Sequence, residues 1–109
     1  MTNRTLGDKG EDLAASVLEE KGYSILARNY TTQAGEIDII AKKDGTLIFC
    51  EVKTRLSDRL GNGRDAVDER KQQKIKRSAQ IYLMNTGIPF EYCEFHVMEI
   101  SVGHLEACF

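Results

Sequence analysis

Apolar positions recur along this chain with two different periods, and the changes between them mark out its elements. Residues 6–21 place Leu6, Leu13, Ala14, Val17 and Leu18 near one stripe at helical spacing, and Gly22 stands where a helix would stop. Residues 23–30 (YSILARNY) read as a strand. Stronger strand patterns, rich in Ile, Val and Phe, follow at 36–42 (EIDIIAK) and 46–55 (TLIFCEVKTR), and Asp44-Gly45 between them signals a two-residue hairpin turn. Residues 56–64 form a polar, glycine-containing loop. A second helix is expected to start between Asp65 and Glu69 and to run to about Asn85, with Ile75, Ala79, Ile81, Tyr82 and Leu83 as its apolar positions and Gly87 and Pro89 to end it. Residues 92–100 read as a further strand, and 105–109 as a short edge strand. The order α-β-β-β-α-β, with a final β, implies an α/β domain: a mixed sheet flanked by helices.

The hairpin permits a geometric expectation. With Asp44 and Gly45 central in the turn, Asp38 falls opposite Glu51, and directly opposed residues share a face with Cβ atoms roughly 4.5–5.5 Å apart. Alternation then sets Ile37, Ile39 and Ala41 with Ile48, Cys50 and Val52 on an apolar face. The other face carries Ile40 and Phe49 near the turn and Glu36, Asp38, Glu51 and Lys53 beyond it. Two opposed carboxylates repel, at a cost of up to about 1 kcal/mol or as a raised pKa. A divalent cation removes that conflict, and magnesium favours such oxygen ligands. Lys53 beside them would orient or deprotonate water, or stabilise charge developing on a phosphate. The bland reading is a solvent-facing strand of alternating charges in which Lys53 pairs with a carboxylate.

Composition narrows the class. A chain of 109 residues is one domain, spanning 1–109, able to bury roughly two-thirds of its unfolded surface. No apolar stretch approaches the roughly 18 residues that span a membrane, and no apolar run follows Met1-Thr2-Asn3-Arg4 as a signal peptide would require. Cys50, Cys93 and Cys108 lack CxxC spacing and read as reduced cysteines used as small hydrophobes, which points to the cytoplasm. His96 and His104 complete no zinc motif with them. The net charge of −2 conceals an asymmetry: residues 53–77 hold nine Lys or Arg against four acids. A basic stretch beside acidic positions suits a protein that holds a polyanion near a metal, although charge alone favours a solvated helix face.

Gly35-Glu36-Ile37-Asp38-Ile39-Ile40 followed by Phe49-Cys50-Glu51-Val52-Lys53-Thr54-Arg55 closely resembles the YraN-like family of small bacterial proteins. Gly10-Glu11, Arg28-Asn29-Tyr30, and Val67 through Lys71 to Ala79 and Leu83 fit the same pattern. The resemblance implies a restriction-endonuclease-like fold akin to archaeal Holliday-junction resolvases. It implies Asp38 and Glu51 as metal ligands and catalytic acids, Lys53 as the lysine of the ExK element, and Glu11 as a further acid directed at the metal, with Mg2+ or Mn2+ as cofactor. Glu36 belongs to the signature without an assigned role. Arg55, Arg64, Lys71 and Lys74 are candidate phosphate contacts. Glu94-Phe95-His96-Val97 stands where relatives look like Arg-Phe-Asp-Val, so contacts from that strand differ. The expected function is a metal-dependent endonuclease acting on DNA, branched or structured. A second copy of the chain or a DNA-processing protein is a candidate partner, and no membrane is. The alternative is a non-catalytic nucleic-acid-binding module or a protein-interaction domain that retains the fold.

Overall fold

The computed structural model describes residues 5–56 and 67–102. Its elements run α1 (Leu6–Glu20), β1 (Ser24–Thr32), β2 (Gly35–Lys43), β3 (Thr46–Leu56), α2 (Glu69–Thr86) and β4 (Tyr92–Val102). The order matches the expected α-β-β-β-α-β, and the edge strand expected at 105–109 lies outside the described residues, as do 57–64 of the expected loop.

Local chemistry sets the helix ends. Thr5 caps α1: its hydroxyl accepts the Asp8 N–H at 3.0 Å, and the Asp8 carboxylate accepts the Thr5 N–H at 3.3 Å, a reciprocal capping box. At the other end Gly22 takes φ +97°, and the Tyr23 and Gly22 N–H groups return to the carbonyls of Leu18 and Glu19, both at 3.0 Å, the Schellman arrangement. Asp68 caps α2 by accepting the Lys71 N–H at 2.7 Å. Gly87, at φ +62°, ends α2 with its N–H on the Leu83 carbonyl. No helix among the described residues is long and apolar enough to cross a membrane.

The strands form one sheet in the order β1-β2-β3-β4. β1–β2 and β2–β3 are antiparallel, while β3–β4 is parallel and uses α2 as its crossover. Asp44 adopts φ +54° at the turn, and Lys43–Thr46 through Ile39–Cys50 pair in the register the two-residue turn demands. The helices cover opposite faces. α1 packs Ala14, Ala15 and Leu18 against Ile39, Ala41, Ile48, Cys50 and Ile100. α2 packs Ile75, Ala79 and Tyr82 against Ile37, Ile40, Leu47 and Phe49. Each fully buried Ile, Leu or Phe side chain in these layers contributes about 1.5–3 kcal/mol.

Two expectations are corrected here. Leu6 and Leu13 are exposed, and the buried face of α1 is instead Gly10, Glu11, Ala14, Ala15 and Leu18. Small residues let the helix lie closer to the sheet than a leucine stripe would. Ile37 packs with Ile40 on the α2 side, whereas Ile39 faces α1. Strict alternation breaks at Asp38, opposite Asn29, whose φ of +52° is a left-handed kink in β1. Ala27 and Tyr30, three residues apart across that kink, accordingly share the α2 side.

Candidate functional site

Asp38 lies opposite the left-handed Asn29, just beyond the last β2–β3 pair. The β2–β3 ladder stops at Ile39–Cys50, so the expected opposition of Asp38 and Glu51 is not a ladder pair. Val52, which a longer ladder would set against Ile37, instead donates its N–H to Asp38 Oδ2 at 2.7 Å. The side chain thus replaces a backbone acceptor at the spot where the strands part. β3 loses nothing by it, because its other edge stays paired with β4 as far as Leu56–Val102.

Asp38 is half-buried, and its carboxyl is pushed up from 3.8 to about 6. Burial is the main cause. The Val52 hydrogen bond opposes it, and the negative charges of Glu51, Glu11 and Glu36 reinforce it. All three acids therefore lie within electrostatic reach of Asp38, and they come from three different elements.

Glu11 arrives from α1 because Gly10 lets that helix settle onto β3. A Cβ on Gly10 would overlap the Thr54 side chain. Glu11 is 8% exposed, and three donors converge on its Oε1: Arg28 Nε at 3.2 Å, Arg28 Nη2 at 3.0 Å and Asn29 Nδ2 at 3.1 Å. Arg28 Nη2 also reaches Asp12 at 2.6 Å. The kinked residue and its neighbour thus hold the acid of α1 in place. Glu51, 9% exposed, projects toward α2 and pairs with Lys71 Nζ at 2.5 Å. That hydrogen bond holds the Lys71 ammonium above its ordinary pKa. Glu36 is exposed at the strand end, within 3.4 Å of the Thr31 hydroxyl.

Lys53 follows Glu51 by two residues and shares its face by alternation. It is half-buried beside Glu99 of β4 in the parallel register, and among the described residues no hydrogen bond or ion pair engages its ammonium. A cavity of about 230 Å3 adjoins Glu51, with Phe49, Val67, Ile75, Phe95 and Val97 in its wall beside the polar Gln72, Lys76 and His96. Cys50, just beneath, is a free buried thiol pushed up to about 12 by burial and by the charge of Asp38.

Glu11, Glu51 and Glu36 therefore lie within electrostatic reach of Asp38, and Lys53 shares the face of Glu51 by alternation. The phosphate candidates divide. Lys71 is turned to Glu51, Arg55 Nε pairs with Glu99 at 2.5 Å, Lys74 lies exposed on α2, and Arg64 lies outside the described residues. Among the described residues no three His, Cys, Asp or Glu side chains are already drawn together as a ligand set. The geometry gives the reason: Glu11 is pulled to Arg28 and Asn29, and Glu51 to Lys71. Sequence patterning alone missed those partners. Arg28-Asn29-Tyr30 carried a signal only as part of the resemblance, and nothing in spacing distinguished Lys71 from the other cations of α2.

A family model described as "Uncharacterised protein family UPF0102" matches residues 10–100, a span that contains every residue just named as part of the acidic site. A UPF0102 protein of Syntrophomonas wolfei is 46% identical over 100 residues, covering 92% of this chain and 87% of that protein. One from Symbiobacterium thermophilum is 43% identical over 101 residues, covering 93% and 86%. One from Dictyoglomus turgidum is 42% identical over 103 residues, covering 94% and 87%.

Proposed function

This chain belongs to the uncharacterised protein family UPF0102, the YraN-like proteins, and since that membership assigns no activity, we propose from the site that it is a magnesium- or manganese-dependent endonuclease hydrolysing phosphodiester bonds in DNA, branched or otherwise structured. The observation that carries the reading is Asp38. A half-buried carboxyl within electrostatic reach of three further acids, with its pKa raised to about 6 chiefly by burial, is an arrangement that costs stability and is suited to binding a cation. The mixed sheet with a helix layer on each face is compatible with the restriction-endonuclease-like fold.

The donor chemistry fits the group. Asp38, Glu51 and Glu11 offer hard carboxylate oxygens, and their mutual repulsion is what a divalent ion relieves. Held there, the ion supplies Lewis acidity at a phosphate. The chain's own residues supply the rest. Lys53, with no competing partner among the described residues, donates to a non-bridging phosphate oxygen and stabilises the charge that builds in the transition state. Arg28 and Asn29 fix Glu11 through one oxygen, so its other oxygen is the one offered to a ligand. Lys71, which sits on Glu51, would be free to meet a phosphate if a bound cation took its place there.

A non-catalytic nucleic-acid-binding module is favoured by one observation: Glu11, Glu51 and Asp38 all have protein partners already, so the cluster also works as a satisfied polar network. Cleavage separates the two readings. Wild type is incubated with linear, flapped and branched DNA in Mg2+ or Mn2+, beside Asp38→Asn and Lys53→Ala. Loss of about 100-fold or more in rate in both variants is expected of residues that act at the reacting phosphate. Equal cutting by all three proteins would assign the activity to a contaminant, and DNA binding without turnover by wild type would favour the module.

A further inference from the structure

α2 divides its cations between two surfaces. Lys71 turns to Glu51, but Arg70, Lys74 and Arg77 line a separate groove of about 300 Å3 with Gln73 of the same helix and Gln33 and Ala34 of the β1–β2 turn. No acidic side chain lines it. Among the described residues Arg70, Lys74 and Arg77 are exposed, and no ion pair engages any of them.

Helix stability does not explain this arrangement. Arg70 and Lys74 stand at i,i+4 and Lys74 and Arg77 at i,i+3, spacings at which like charges repel. Residue 73 lies three after Arg70 and four before Arg77, where a glutamate would pair with both, and it is a neutral glutamine.

The opposite wall is fixed. The Thr32 hydroxyl accepts the Ala34 and Gly35 N–H groups at 2.9 and 3.1 Å and is hydrogen-bonded to the fully buried Ser78 of α2 at 2.9 Å. Gly35 lies directly beneath Lys74, whose Cβ would be 3.3 Å from a Cβ placed there. The turn's backbone is therefore clamped to the helix, which holds the two walls of the groove side by side. Three unpaired cations and two amides around one concave surface are complementary to a run of phosphodiesters.

We infer that the groove formed by Arg70, Lys74 and Arg77 with Gln33 and Gln73 is a second DNA-backbone site, separate from the acidic cluster, which seats phosphates flanking the one at Asp38. Lys74 is about 4.5 Å further along the helix axis than Lys71, and β2 runs from Gly35 at the groove to Asp38 in three residues, so one polyanion serves both places. The identity of the ligand as DNA rests on the reading given above, but the groove's affinity does not depend on turnover.

The test is therefore binding without metal. Wild type, the triple variant Arg70→Ala/Lys74→Ala/Arg77→Ala and a charge-matched control, Lys9→Ala/Lys21→Ala/Lys43→Ala, are titrated with a labelled DNA duplex in EDTA over a range of salt. The triple variant should bind at least about tenfold more weakly at low salt, with its log–log salt slope reduced by about 2 to 3, while the control stays near wild type. Gln33→Glu, which adds a negative charge from the other wall and leaves α2 untouched, should weaken binding in the same direction. An equal loss in triple variant and control, no loss from Gln33→Glu, or no duplex binding by wild type would each overturn the assignment. Wild-type cleavage that survives in Asp38→Asn would sink the nuclease reading without touching this one.

Discussion

At the scale of single residues, Asp38 shows chemistry set against packing. Its carboxyl sits at about 6 rather than 3.8, because burial and the neighbouring acids disfavour its charge more than the Val52 N–H favours it. A carboxyl whose folded pKa is raised holds its proton more tightly in the native state. Stability linked to it is complete below the unfolded value of 3.8 and is lost as the pH rises through about 6. Asp38→Asn keeps an oxygen for Val52 and removes the charge. Its unfolding free energy should match wild type near pH 4 and exceed it by about 1–2 kcal/mol near pH 7.5, the full shift being reduced by solvent screening. Urea melts at the two pH values check this, and a variant less stable than wild type at the higher pH would make Asp38 an ordinary structural acid. The residue types were legible in the sequence, since GEIDII and EVK announce acids and a lysine on paired strands. The shift itself was not, because it depends on how deeply a kinked strand carries the side chain.

At the scale of elements, the seating of α1 on β3 decides whether Glu11 belongs to the site. Gly10→Ala would ordinarily stabilise a helix by about 0.5–1 kcal/mol. Here the new Cβ meets Thr54, and overpacking costs about 1–3 kcal/mol, so net destabilisation is expected. Thr54→Ala removes the obstruction, and the double variant should recover most of the loss. A double-mutant cycle on urea unfolding measures the coupling, and additive losses would show that the helix and strand do not meet at this pair. The same logic explains the exposed Leu6 and Leu13. Apolar spacing located the helix correctly, while the choice of buried face followed from which residues allow close approach.

At the scale of the whole molecule, acids from α1, β2 and β3 share one charge environment with a cation of α2, so ligand binding there should register in global stability. Saturation with Mg2+ or Mn2+ at about 100 times the dissociation constant is expected to stabilise wild type by roughly 2.7 kcal/mol and to leave Asp38→Asn unmoved. Lys71→Met removes the lysine now seated on Glu51. Without metal it should lose about 1–3 kcal/mol, because a nearly buried carboxylate is left unpaired. With metal it should show a larger stabilisation than wild type, since no tethered ammonium competes. Thermal melting under metal titration reads both effects. A flat wild-type titration together with an unshifted Lys71→Met would remove the metal and leave the satisfied polar network.

What the sequence by itself determined is what local interactions govern. Asp44-Gly45 set the hairpin register, Gly22 and Gly87 ended the helices through left-handed backbone, and the two apolar periods placed four strands between and after two helices. Only the tertiary structure decided which way the strands turn at the site. It turns Ile37 to the α2 side beside the left-handed Asn29 and ends the β2–β3 ladder at Ile39–Cys50, where the Asp38 carboxylate takes the Val52 N–H. It also directs Arg28 and Asn29 to Glu11 and Lys71 to Glu51, pairings between residues 17, 18 and 20 positions apart. Periodicity carries no information over such separations: it reports which side of an element is apolar, whereas a site is made where elements depart from their period to satisfy buried charge.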